Sequence, residues 1–407
     1  MPWAAVRRSL AGAVRRDSVF RQADWILVLA VLALSGLGSV LIWSGTAPAL
    51  IAQGANPHQY LLKQSLNIAL GLILMAITAS LDKRRLALAA PVLFALSCLG
   101  LLAVLSPLGS VVNGARSWIS LGAGFEVEPS EFAKLSVIVI GAMLLSRLEP
   151  GQTRPGGKPV GRALGLAAVP ILLVVAEPDL GVTIVLVLLV AGLIILSGVR
   201  LRWIAGLSAA GALAVTAIFK LHLLHSYQAG RLTSFLNPAA DPTGNGYSAD
   251  QSQIAIGSGG LHGTGLFHST IVAGNFVPEQ HTDFIFAIVG NQLGFVGALV
   301  VLGLLGVILF RALRIAVRAE DQFGMLVAAG IAIWFAFQTF INVGMTIGIM
   351  PVTGLPLPFV SYGGSAMFAD MMAVGLLLSV RRPHNVFGAR RKLRRAGQPP
   401  PLGRVRP

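Results

Sequence analysis

Apolar residues follow one another in long, uninterrupted runs along most of this chain. Ten of these runs are close to the roughly 20 residues that an α-helix needs to cross a lipid bilayer. They cover residues 24–45, 63–81, 87–106, 130–147, 162–177, 180–199, 203–224, 283–310, 322–346 and 364–380. The runs are continuous rather than alternating, which argues against a membrane-spanning β-barrel. The pattern predicts an all-α, polytopic membrane protein with ten transmembrane helices.

The composition agrees with this prediction. Hydrophobic residues make up 55% of the chain and charged residues only 12%, about half the charged fraction of a typical soluble domain. The mean hydropathy is +0.77. A soluble globular protein is therefore excluded as the class of this chain.

The net charge of +15 raises the question of a nucleic-acid partner, and the placement of the basic residues argues against one. Most lysines and arginines fall before residue 24, at 83–85, 147–162, 200–202 and 311–318, and after residue 380. Because basic residues are enriched in cytoplasmic loops, this distribution predicts that both termini are cytoplasmic. We expect the run ARRKLRR at 389–395 to lie on anionic lipid headgroups.

Three regions follow from these patterns. A basic cytoplasmic segment covers 1–23, the ten-helix membrane domain covers 24–380, and a basic cytoplasmic tail, expected to be disordered, covers 381–407. The first apolar run is longer than the core of a signal peptide, so we expect an uncleaved first helix. Cys98 is the only cysteine, which excludes an intrachain disulfide.

Two connections on the predicted outer side are long, 107–129 and 225–282. The second is the large extracytoplasmic loop between helices 7 and 8, and long loops without secondary structure are often functional. It includes QSQIAIGSGGLHGTG at 251–265, whose glycines would let backbone N–H groups approach an anion such as a diphosphate. A different stretch, MPVTGLPLPFVSYGGS at 350–365, predicts a stiff, broken segment that is buried or lines a cavity.

Asp283 lies in EQHTDFIF (279–286), where polar residues meet the start of the eighth apolar run. Two interpretations are open. As a structural residue, Asp283 or Thr282 would cap the eighth helix and gain about 0.3–1 kcal/mol from the helix dipole. As a functional residue, Asp283 would be a carboxylate held at the water-facing mouth of the bundle and acting as a general base.

Glu131 and Lys134 in PSEFAK (129–134) are three residues apart and share one face of the fourth helix. They form either an ion pair that satisfies itself or a site that keeps a lysine for a phosphate, since a charge in a membrane helix costs at least ~2.5–3.5 kcal/mol. In the hairpin AEPDLG (176–181), we expect Pro178 to end one helix and Asp179 to cap the next.

The histidines do not predict a transition-metal site. His281 and Asp283 are spaced as H-x-D, but no set of histidines and cysteines has the spacing of a zinc site. Asp370, inside the last apolar run, has no partner that the sequence identifies.

Five motifs together resemble the SEDS family (shape, elongation, division and sporulation proteins), membrane glycosyltransferases that polymerise peptidoglycan. In chain order they are PSEFAK, EPDLG, NPAADPTGNGYSADQSQIAIGSGGLHGTG, FVPEQHTDFIFA and GIMPVTGLPLPFVSYGGS. The resemblance spans nearly all of residues 24–380. The last motif and the opening DWILVLAVLALSGLGSVLIWS are more similar to the elongation members of the family than to the division members.

The resemblance implies a reaction and a site. Lipid II would be joined to a glycan carried on undecaprenyl diphosphate, with inversion at the anomeric carbon and Asp283 as the general base. A diphosphate leaving group needs charge neutralisation rather than a general acid, so a second carboxylate like that of glycosidases is not required. Lys134 and Lys63 would contact the diphosphate, and Glu131 would orient Lys134. The other candidates for substrate contacts are Arg116, Arg231, Gln253, Ser258, His281 and Ser361.

The resemblance also implies partners and a location. No covalent cofactor is expected, and a divalent cation, Mg²⁺ or Mn²⁺, is left open as an assistant. A class B penicillin-binding protein would be the transpeptidase partner, together with other membrane proteins of the elongation complex, in the bacterial cytoplasmic membrane with the active site on the outer face. The alternatives are a flippase or transporter of the lipid-linked precursor, a division-type polymerase, and a scaffold that recruits a transpeptidase.

Several positions depart from the pattern of the family. Thr264 stands where many relatives have lysine, which removes one candidate phosphate contact. Asn291 and Gln292 stand where acids are usual, which argues against a metal site there. Glu177 replaces a common glutamine, and Glu128 is a similar departure before Pro129. None of these changes affects the expectation for Asp283.

Overall fold

Helices form most of the described chain. The computed structural model describes residues 23–112, 115–122, 125–147, 154–221, 226–237 and 244–382. The helices are α1 (Trp25–Ala52), α2 (Gln59–Ser80), α3 (Lys83–Leu105), α4 (Pro129–Leu145), α5 (Gly157–Ala176), α6 (Leu180–Leu196), α7 (Leu201–Lys220), α8 (Ser226–Leu236), α9 (Asn245–Gly259), α10 (Thr270–Ala273), α11 (Ile285–Val317), α12 (Gln322–Thr346) and α13 (Gly364–Arg381). Three short strands are β1 (Gly109–Val112), β2 (Ala115–Gly122) and β3 (Phe125–Val127).

Each of the ten predicted apolar runs coincides with one of these helices. Eight helices in the described part of the chain are long and apolar enough to cross a membrane. The two remaining ones, α4 and α6, have 17 residues each. The chain is therefore a multi-pass helical membrane protein, and the count of ten spans stays a prediction. The two terminal regions, predicted to be cytoplasmic, lie largely outside the described residues.

Helices α4 and α12 lie at the centre of the bundle. Almost every residue of α4 is buried, and α12 packs against α4, α6, α11 and α13. Gly330 is one reason that α12 approaches so closely, because a Cβ at this position would lie 3.0 Å from Cγ2 of Ile138 on α4. The short helix that contains PSEFAK therefore lies in the interior of the bundle, in close contact with α12.

Both long outer connections contain secondary structure. Residues 107–129 include β1, β2 and β3, which form an antiparallel sheet in the order β1-β2-β3. Residues 225–282, predicted as a loop, contain α8, α9 and α10. Glycine and serine are frequent in α9, which is stabilised by packing along α11. The place of this connection outside the membrane stays a prediction.

The glycine-rich turn after α9 inserts into a break in α11. Gly294 interrupts α11 with a φ of 67°, and a Cβ there would lie 2.3 Å from the backbone nitrogen of Gly263. The N–H groups of Thr264 and Gly265 donate to the carbonyls of Asn291 and Gln292 at 2.9 and 3.1 Å. The N–H groups of residues 264 and 265 are therefore already paired with carbonyls of α11. They are not free to bind an anion in the way that the sequence suggested.

The segment between α12 and α13 is a buried, non-helical chain, as predicted from its prolines and glycines. Leu355, Leu357, Phe359 and Val360 are at most 2% exposed. Such backbone is tolerated at membrane depth only where protein or a cavity surrounds it. This segment forms part of the wall of the site described below.

Paired charges hold together the end of the bundle where α1 begins. The Asp24 carboxylate is 2% exposed; it accepts from Arg311 Nε at 2.8 Å and from Arg311 Nη2. Arg381 Nη1 lies 3.4 Å from the same carboxylate. Lys83 Nζ lies 2.8 Å from Asp321 Oδ2. These contacts connect α1 with α11 and α13, and α3 with the start of α12.

Candidate active site

A polar cavity of about 450 Å³ opens at the other end of the bundle. Its walls come from the start of α2, from β2 and β3, from the α5–α6 hairpin, from α8, from the chain before α11 and from the segment between α12 and α13. The residues lining it are Tyr60, Lys63, Asn67, Ser117, Trp118, Glu126, Glu128, Pro178, Asp179, Arg231, Glu279, His281, Thr282, Asp283, Thr353, Gly354, Tyr362, Gly363 and Gly364.

Asp283 lies in this cavity and does not cap a helix. Helix α11 begins at Ile285, and its N-cap residue is Phe284, with no side-chain capping bond. The capping interpretation of Asp283 and Thr282 is therefore wrong. The Thr282 hydroxyl donates instead to Glu279 Oε2 at 3.1 Å. The Asp283 carboxylate is left available to the cavity.

Burial makes Asp283 an unusually weak acid. Loss of water around the carboxyl, followed by the nearby charge of Glu279, raises the pKa of Asp283 to about 7, against the lowering effect of Arg231. A carboxyl with this pKa can lose and regain a proton near neutral pH. The side chain thus has the acidity expected of a general base.

Arg231 and Asp283 meet at Gly354. A Cβ on Gly354 would lie 3.4 Å from Asp283 Oδ2 and 3.6 Å from Arg231 Nη2. Arg231 on α8 is held there by a bond from its Nη1 to the Thr353 carbonyl, at 2.8 Å. Gly354 itself has a φ of 78°, a conformation that glycine adopts without strain. The absent side chain leaves room for the acid and the guanidinium side by side.

Acids outnumber long basic side chains around the cavity. Among the described lining residues, Glu126, Glu128, Asp179, Glu279 and Asp283 carry carboxyls, and Lys63 and Arg231 carry cations. Burial and then the neighbouring Glu131 raise the pKa of Glu128 well above its usual range. Burial also raises the pKa of Asp179. The cavity therefore holds protons more strongly than free carboxylates would.

Asp179 has a second, structural role. Its Oδ1 accepts from the Val182 N–H at 3.0 Å and caps α6, as predicted from AEPDLG.

Two residues earlier, the Glu177 side chain is buried, and neither of its oxygens has a hydrogen-bond partner in the described chain. Burial, followed by the charge of Asp179, raises the pKa of Glu177 to about 8.

Three aromatic rings line the wall beside Asp283. The Tyr60 ring centroid lies 4.9 Å from that of His281 and 5.1 Å from that of Tyr362. Burial lowers the pKa of His281, so the imidazole is neutral at pH 7. Burial, then Tyr60, raises the pKa of Tyr362 to about 12. This wall therefore offers apolar faces and neutral hydrogen-bonding groups.

The Glu131–Lys134 ion pair lies behind the cavity. Both side chains are fully buried, and Lys134 Nζ donates to Glu131 Oε1 at 2.7 Å and to Gln338 Oε1 at 2.9 Å. The ammonium also lies 4.9 Å from the centroid of the Trp334 ring, close enough for a cation–π contact. The ion pair was one of the two predicted interpretations. The diphosphate contact of Lys134 stays a prediction, since its Nζ does not line the cavity.

The other predicted site residues divide into two groups. Lys63, Arg231 and His281 line the cavity with Asp283. Four predicted residues do not line it: Arg116, Gln253, Ser258 and Ser361. Arg116 is exposed on β2 next to the lining residue Ser117. Gln253 and Ser258 lie on α9, where Ser258 Oγ accepts from Asn291 Nδ2 at 2.7 Å.

Ser361 is buried under the site rather than exposed in it. Its Oγ donates to the Thr282 carbonyl at 2.6 Å and accepts from the Leu357 N–H at 2.8 Å. The lining residues that sequence reasoning did not assign to the site include Tyr60, Trp118, Glu126, Glu128, Asp179, Glu279 and Tyr362. Several were visible as outer-face acids, but only the fold shows which of them share a cavity.

The described residues do not offer a ready metal site. No three histidine, cysteine, aspartate or glutamate side chains in the described ranges are grouped closely enough to hold a metal ion. The pKa values of the lining carboxyls Glu128, Asp179 and Asp283 are raised, which weakens their use as anionic ligands. The residues present thus do not fit a resident divalent cation held by protein ligands alone.

The fold and the cavity define a class: a multi-pass helical membrane protein with a buried acid, a guanidinium and an aromatic wall at one end of its bundle. Residues 24–385 match the family model described as "Cell cycle protein", which covers the FtsW, RodA and SpoVE proteins. This chain belongs to that family, and the predicted resemblance to SEDS proteins is confirmed.

Similar proteins agree with this assignment. The peptidoglycan glycosyltransferase MrdB of Escherichia coli (strain K12) is 38% identical over 357 residues, which are 88% of this chain and 93% of MrdB. Stage V sporulation protein E of Bacillus subtilis (strain 168) is 38% identical over 362 residues, 88% of this chain and 97% of that protein.

Solved structures have the same fold. One chain comes from a structure described as "Structural coordination of polymerization and crosslinking by a peptidoglycan synthase complex"; it is 32% identical, with a TM-score of 0.73, 88% of this chain covered and 98% of the other. The rod shape determining protein RodA of Thermus thermophilus is 30% identical, with a TM-score of 0.63, 88% of this chain covered and 97% of RodA.

Proposed function

We propose that this chain is a peptidoglycan glycosyltransferase that polymerises lipid II into glycan strands during cell elongation. The observation that carries the proposal is Asp283, a cavity carboxyl whose pKa is about 7, next to the guanidinium of Arg231. The family and the similarity to MrdB support the reaction class. The similarity to MrdB and to the rod shape determining protein RodA supports a role in elongation.

The reaction needs one proton acceptor and charge neutralisation. The ionised Asp283 carboxylate takes the proton of the acceptor hydroxyl. The oxygen of that hydroxyl attacks the anomeric carbon of the donor at the same time. The bond from that carbon to the diphosphate breaks, and the diphosphate leaves with the electron pair. Lys63 and Arg231 are the lining cations that would offset its charge. Because a diphosphate is a stable leaving group, no general acid is needed.

The buried ion pair would act from behind. Lys134 does not touch the cavity, and its ion pair with Glu131 fixes its position. Lys134 also bonds Gln338, whose Nε2 donates to the Pro356 carbonyl in the wall segment at 2.9 Å. We expect the pair to support this wall segment of the site.

The cavity end would face the outside of the cell. The opposite end carries Lys83, Arg311 and Arg381, which fits the enrichment of basic residues on the cytoplasmic side. The lipid tail of the substrate would then lie in the bilayer beside the bundle while its sugars enter the cavity from outside. A class B penicillin-binding protein is the proposed partner, supported by the likeness to a chain of a peptidoglycan synthase complex.

The test is polymerisation of lipid II by purified protein, with and without the transpeptidase partner, in Mg²⁺, in Mn²⁺ and in a chelator. We would compare wild type, Asp283→Asn and Asp250→Asn, whose aspartate is exposed on α9 outside the cavity. The expected result is long glycan from wild type and Asp250→Asn and none from Asp283→Asn, a loss of about 10²–10⁴-fold. Equal polymer from all three proteins would remove the base assignment.

The same preparations separate the enzyme from a flippase. Charged groups buried in membrane helices, here Glu131 and Lys134, are also typical of transporters. Translocation of a fluorescent lipid II would be followed in vesicles containing each variant. Glycan from wild type, with equal translocation in wild type and Asp283→Asn, is expected for the glycosyltransferase. Translocation without glycan, lost in Asp283→Asn, would support the transporter instead.

A further inference from the structure

Three consecutive carbonyls hold the chain that carries Asp283. The His281 carbonyl accepts from the Tyr362 N–H at 2.9 Å, and the Thr282 carbonyl from Ser361 Oγ at 2.6 Å. The Asp283 carbonyl accepts from Asn342 Nδ2 at 2.7 Å. All three donors come from α12 or from the segment that follows it. We call Asn342, Ser361 and Tyr362 the carbonyl clamp.

Asn342 and Ser361 contribute side chains to the carbonyl clamp, and each of these side chains is buried and makes two hydrogen bonds. Asn342 is 0% exposed, and its Nδ2 also donates to the Leu355 carbonyl at 2.7 Å. Ser361 is 5% exposed, and its Oγ both donates to Thr282 and accepts from Leu357. Two carbonyl acceptors fix the orientation of the Asn342 amide, because its oxygen would repel them.

The Asn342 amide links both sides of the catalytic pair. It bonds the carbonyl of Asp283 and that of Leu355, which directly follows Gly354, where the acid and Arg231 meet. Arg231 is itself held by the carbonyl of Thr353. One buried amide thus sets the distance between the acid and the turn that positions the guanidinium.

The clamp replaces the anchoring that a helix cap would give. Helix α11 has no side-chain capping bond at its start; the Ala287 N–H bonds the Phe284 carbonyl, which leaves the carbonyls of residues 281–283 to other donors. Donors on α12 and in the segment that follows it hold these carbonyls instead. A displacement of about 1 Å at a reacting group can cost about 100-fold in rate, which makes this anchoring relevant to the chemistry.

We propose that Asn342 and Ser361 are positioning residues for Asp283, which hold its backbone so that the carboxylate faces the acceptor hydroxyl. The proposal rests on the proposed glycosyltransferase function for its kinetic consequence. It also revises the prediction for Ser361, from a substrate contact to a support beneath the site.

The experiment compares Asn342→Ala and Ser361→Ala with Ser252→Ala. Ser252 is a matched control, because it is buried on α9 and its Oγ donates to the Thr346 carbonyl at 2.6 Å, outside the cavity. We expect kcat for lipid II polymerisation to fall about 100-fold in Asn342→Ala and about 10-fold in Ser361→Ala, with KM changed less than 2-fold. Ser252→Ala should keep both constants.

The pH profile gives a readout that general loss of stability would not move. Arg231 on α8, Asp179 before α6 and Glu279 are the charged groups that act on Asp283. A carboxylate freed from its anchor gains water, so its pKa falls. The limb on which activity rises with pH should therefore move to lower pH in both clamp variants and stay in place in Ser252→Ala.

Hydrogen–deuterium exchange tests the clamp without any activity. Exchange of the peptide covering 279–286 should be faster in Asn342→Ala and Ser361→Ala than in wild type and Ser252→Ala. Unchanged exchange, or an unchanged kcat with a raised KM, would overturn the proposal. If wild type made no glycan, the proposed function would fail while the exchange result still decided whether the clamp exists.

Discussion

The two ends of the helix bundle treat buried charge in opposite ways. At the end where α1 begins, two acids have basic partners: Asp24 bonds Arg311 and Arg381, and Asp321 bonds Lys83. Asp24 and Asp321 also cap α1 and α12 through Leu27 and Gly324. Each of these carboxylates serves both a helix and a cation.

At the cavity end the carboxyls outnumber the basic side chains that line it. Burial is the first cause that raises the pKa of Glu128, Glu177, Asp179 and Asp283. Perturbed acids of this kind cluster where proton transfer takes place. One end thus stabilises the bundle by pairing its charges, whereas the other keeps acids that can change protonation state near neutral pH.

Replacing one aspartate by asparagine at each end of the bundle should give the largest difference between the catalytic and the stabilising role. Asp283→Asn is expected to lose about 10²–10⁴-fold in polymerisation while remaining at least as stable as wild type at pH 8. Asp24→Asn leaves Arg311 without its carboxylate and should lower the free energy of unfolding by about 3–5 kcal/mol. We would measure the polymerisation rate per folded molecule and the thermal unfolding of both variants. An Asp24→Asn variant that is inactive but stable would contradict the comparison.

Two glycines with nearly equal backbone angles give the next test. Gly354 has a φ of 78° at the cavity, and Gly198 has a φ of 77° between α6 and α7. An alanine Cβ at 354 would contact Asp283 and Arg231, whereas at 198 it would meet nothing within 4 Å. Both Gly→Ala variants should lose about 1–2 kcal/mol of stability, because an L-residue is strained at this φ. Only Gly354→Ala should lose activity, about tenfold, because it separates the acid from the guanidinium; an equal loss in Gly198→Ala would show that strain alone is responsible.

The midpoint of the pH–rate profile should shift in opposite directions when the positive charge of Arg231 and the negative charge of Glu279 are removed. As a base, Asp283 is active when ionised, so the rate rises with pH through about 7. Arg231 lowers this pKa and Glu279 raises it. The midpoint should therefore shift upward in Arg231→Gln and downward in Glu279→Gln. Rate profiles from pH 5 to 9 measure both shifts, and a shared direction would rule out Asp283 as the titrating group.

Glu177 gives the smallest expected effect. The folded state raises its pKa from 4.5 to about 8, so the folded chain binds this proton more tightly than the unfolded chain. Its contribution to stability is complete below pH 4.5 and is lost as the pH rises to about 8. Glu177→Gln should match wild type at pH 4 and unfold a few degrees higher at pH 8.5. A lower Tm for the variant at both pH values would indicate an ionised, paired carboxylate.

The helices could be predicted from sequence because each apolar run is long enough to specify one element. The capping role of Asp179 was also predictable, since Pro178 and the hairpin length are local features. Asp283 could be singled out by its place at the start of an apolar run. Its capping alternative failed because α11 begins two residues later than the run does.

The arrangement of the site depended on contacts between distant parts of the chain. The spacing of Glu131 and Lys134 predicts their bond, but not that Gln338 and Trp334 enclose the ammonium. Asp370, which had no predicted partner, accepts from the Phe359 N–H at 3.2 Å. This bond exists only because the non-helical segment folds back onto α13.

The glycine-rich stretch shows the same limit. Its composition suits an anion site and a packing site equally, since both need backbone without side chains. The break at Gly294 in α11 decides between them by offering the Asn291 and Gln292 carbonyls to residues 264 and 265. No local pattern identifies that break, because glycines are frequent throughout the apolar runs.

The ion pair in α4 also bears on how the chain is made. Glu131 and Lys134 bond across a single turn, whereas Gln338, which completes the shell around Lys134, lies 204 residues further along. During synthesis α4 therefore enters the membrane long before α12 exists. Because each of the two charges is paired within the same helix, α4 can partition into lipid without net charge from this pair. The contacts with Gln338 form later, when α12 has been inserted.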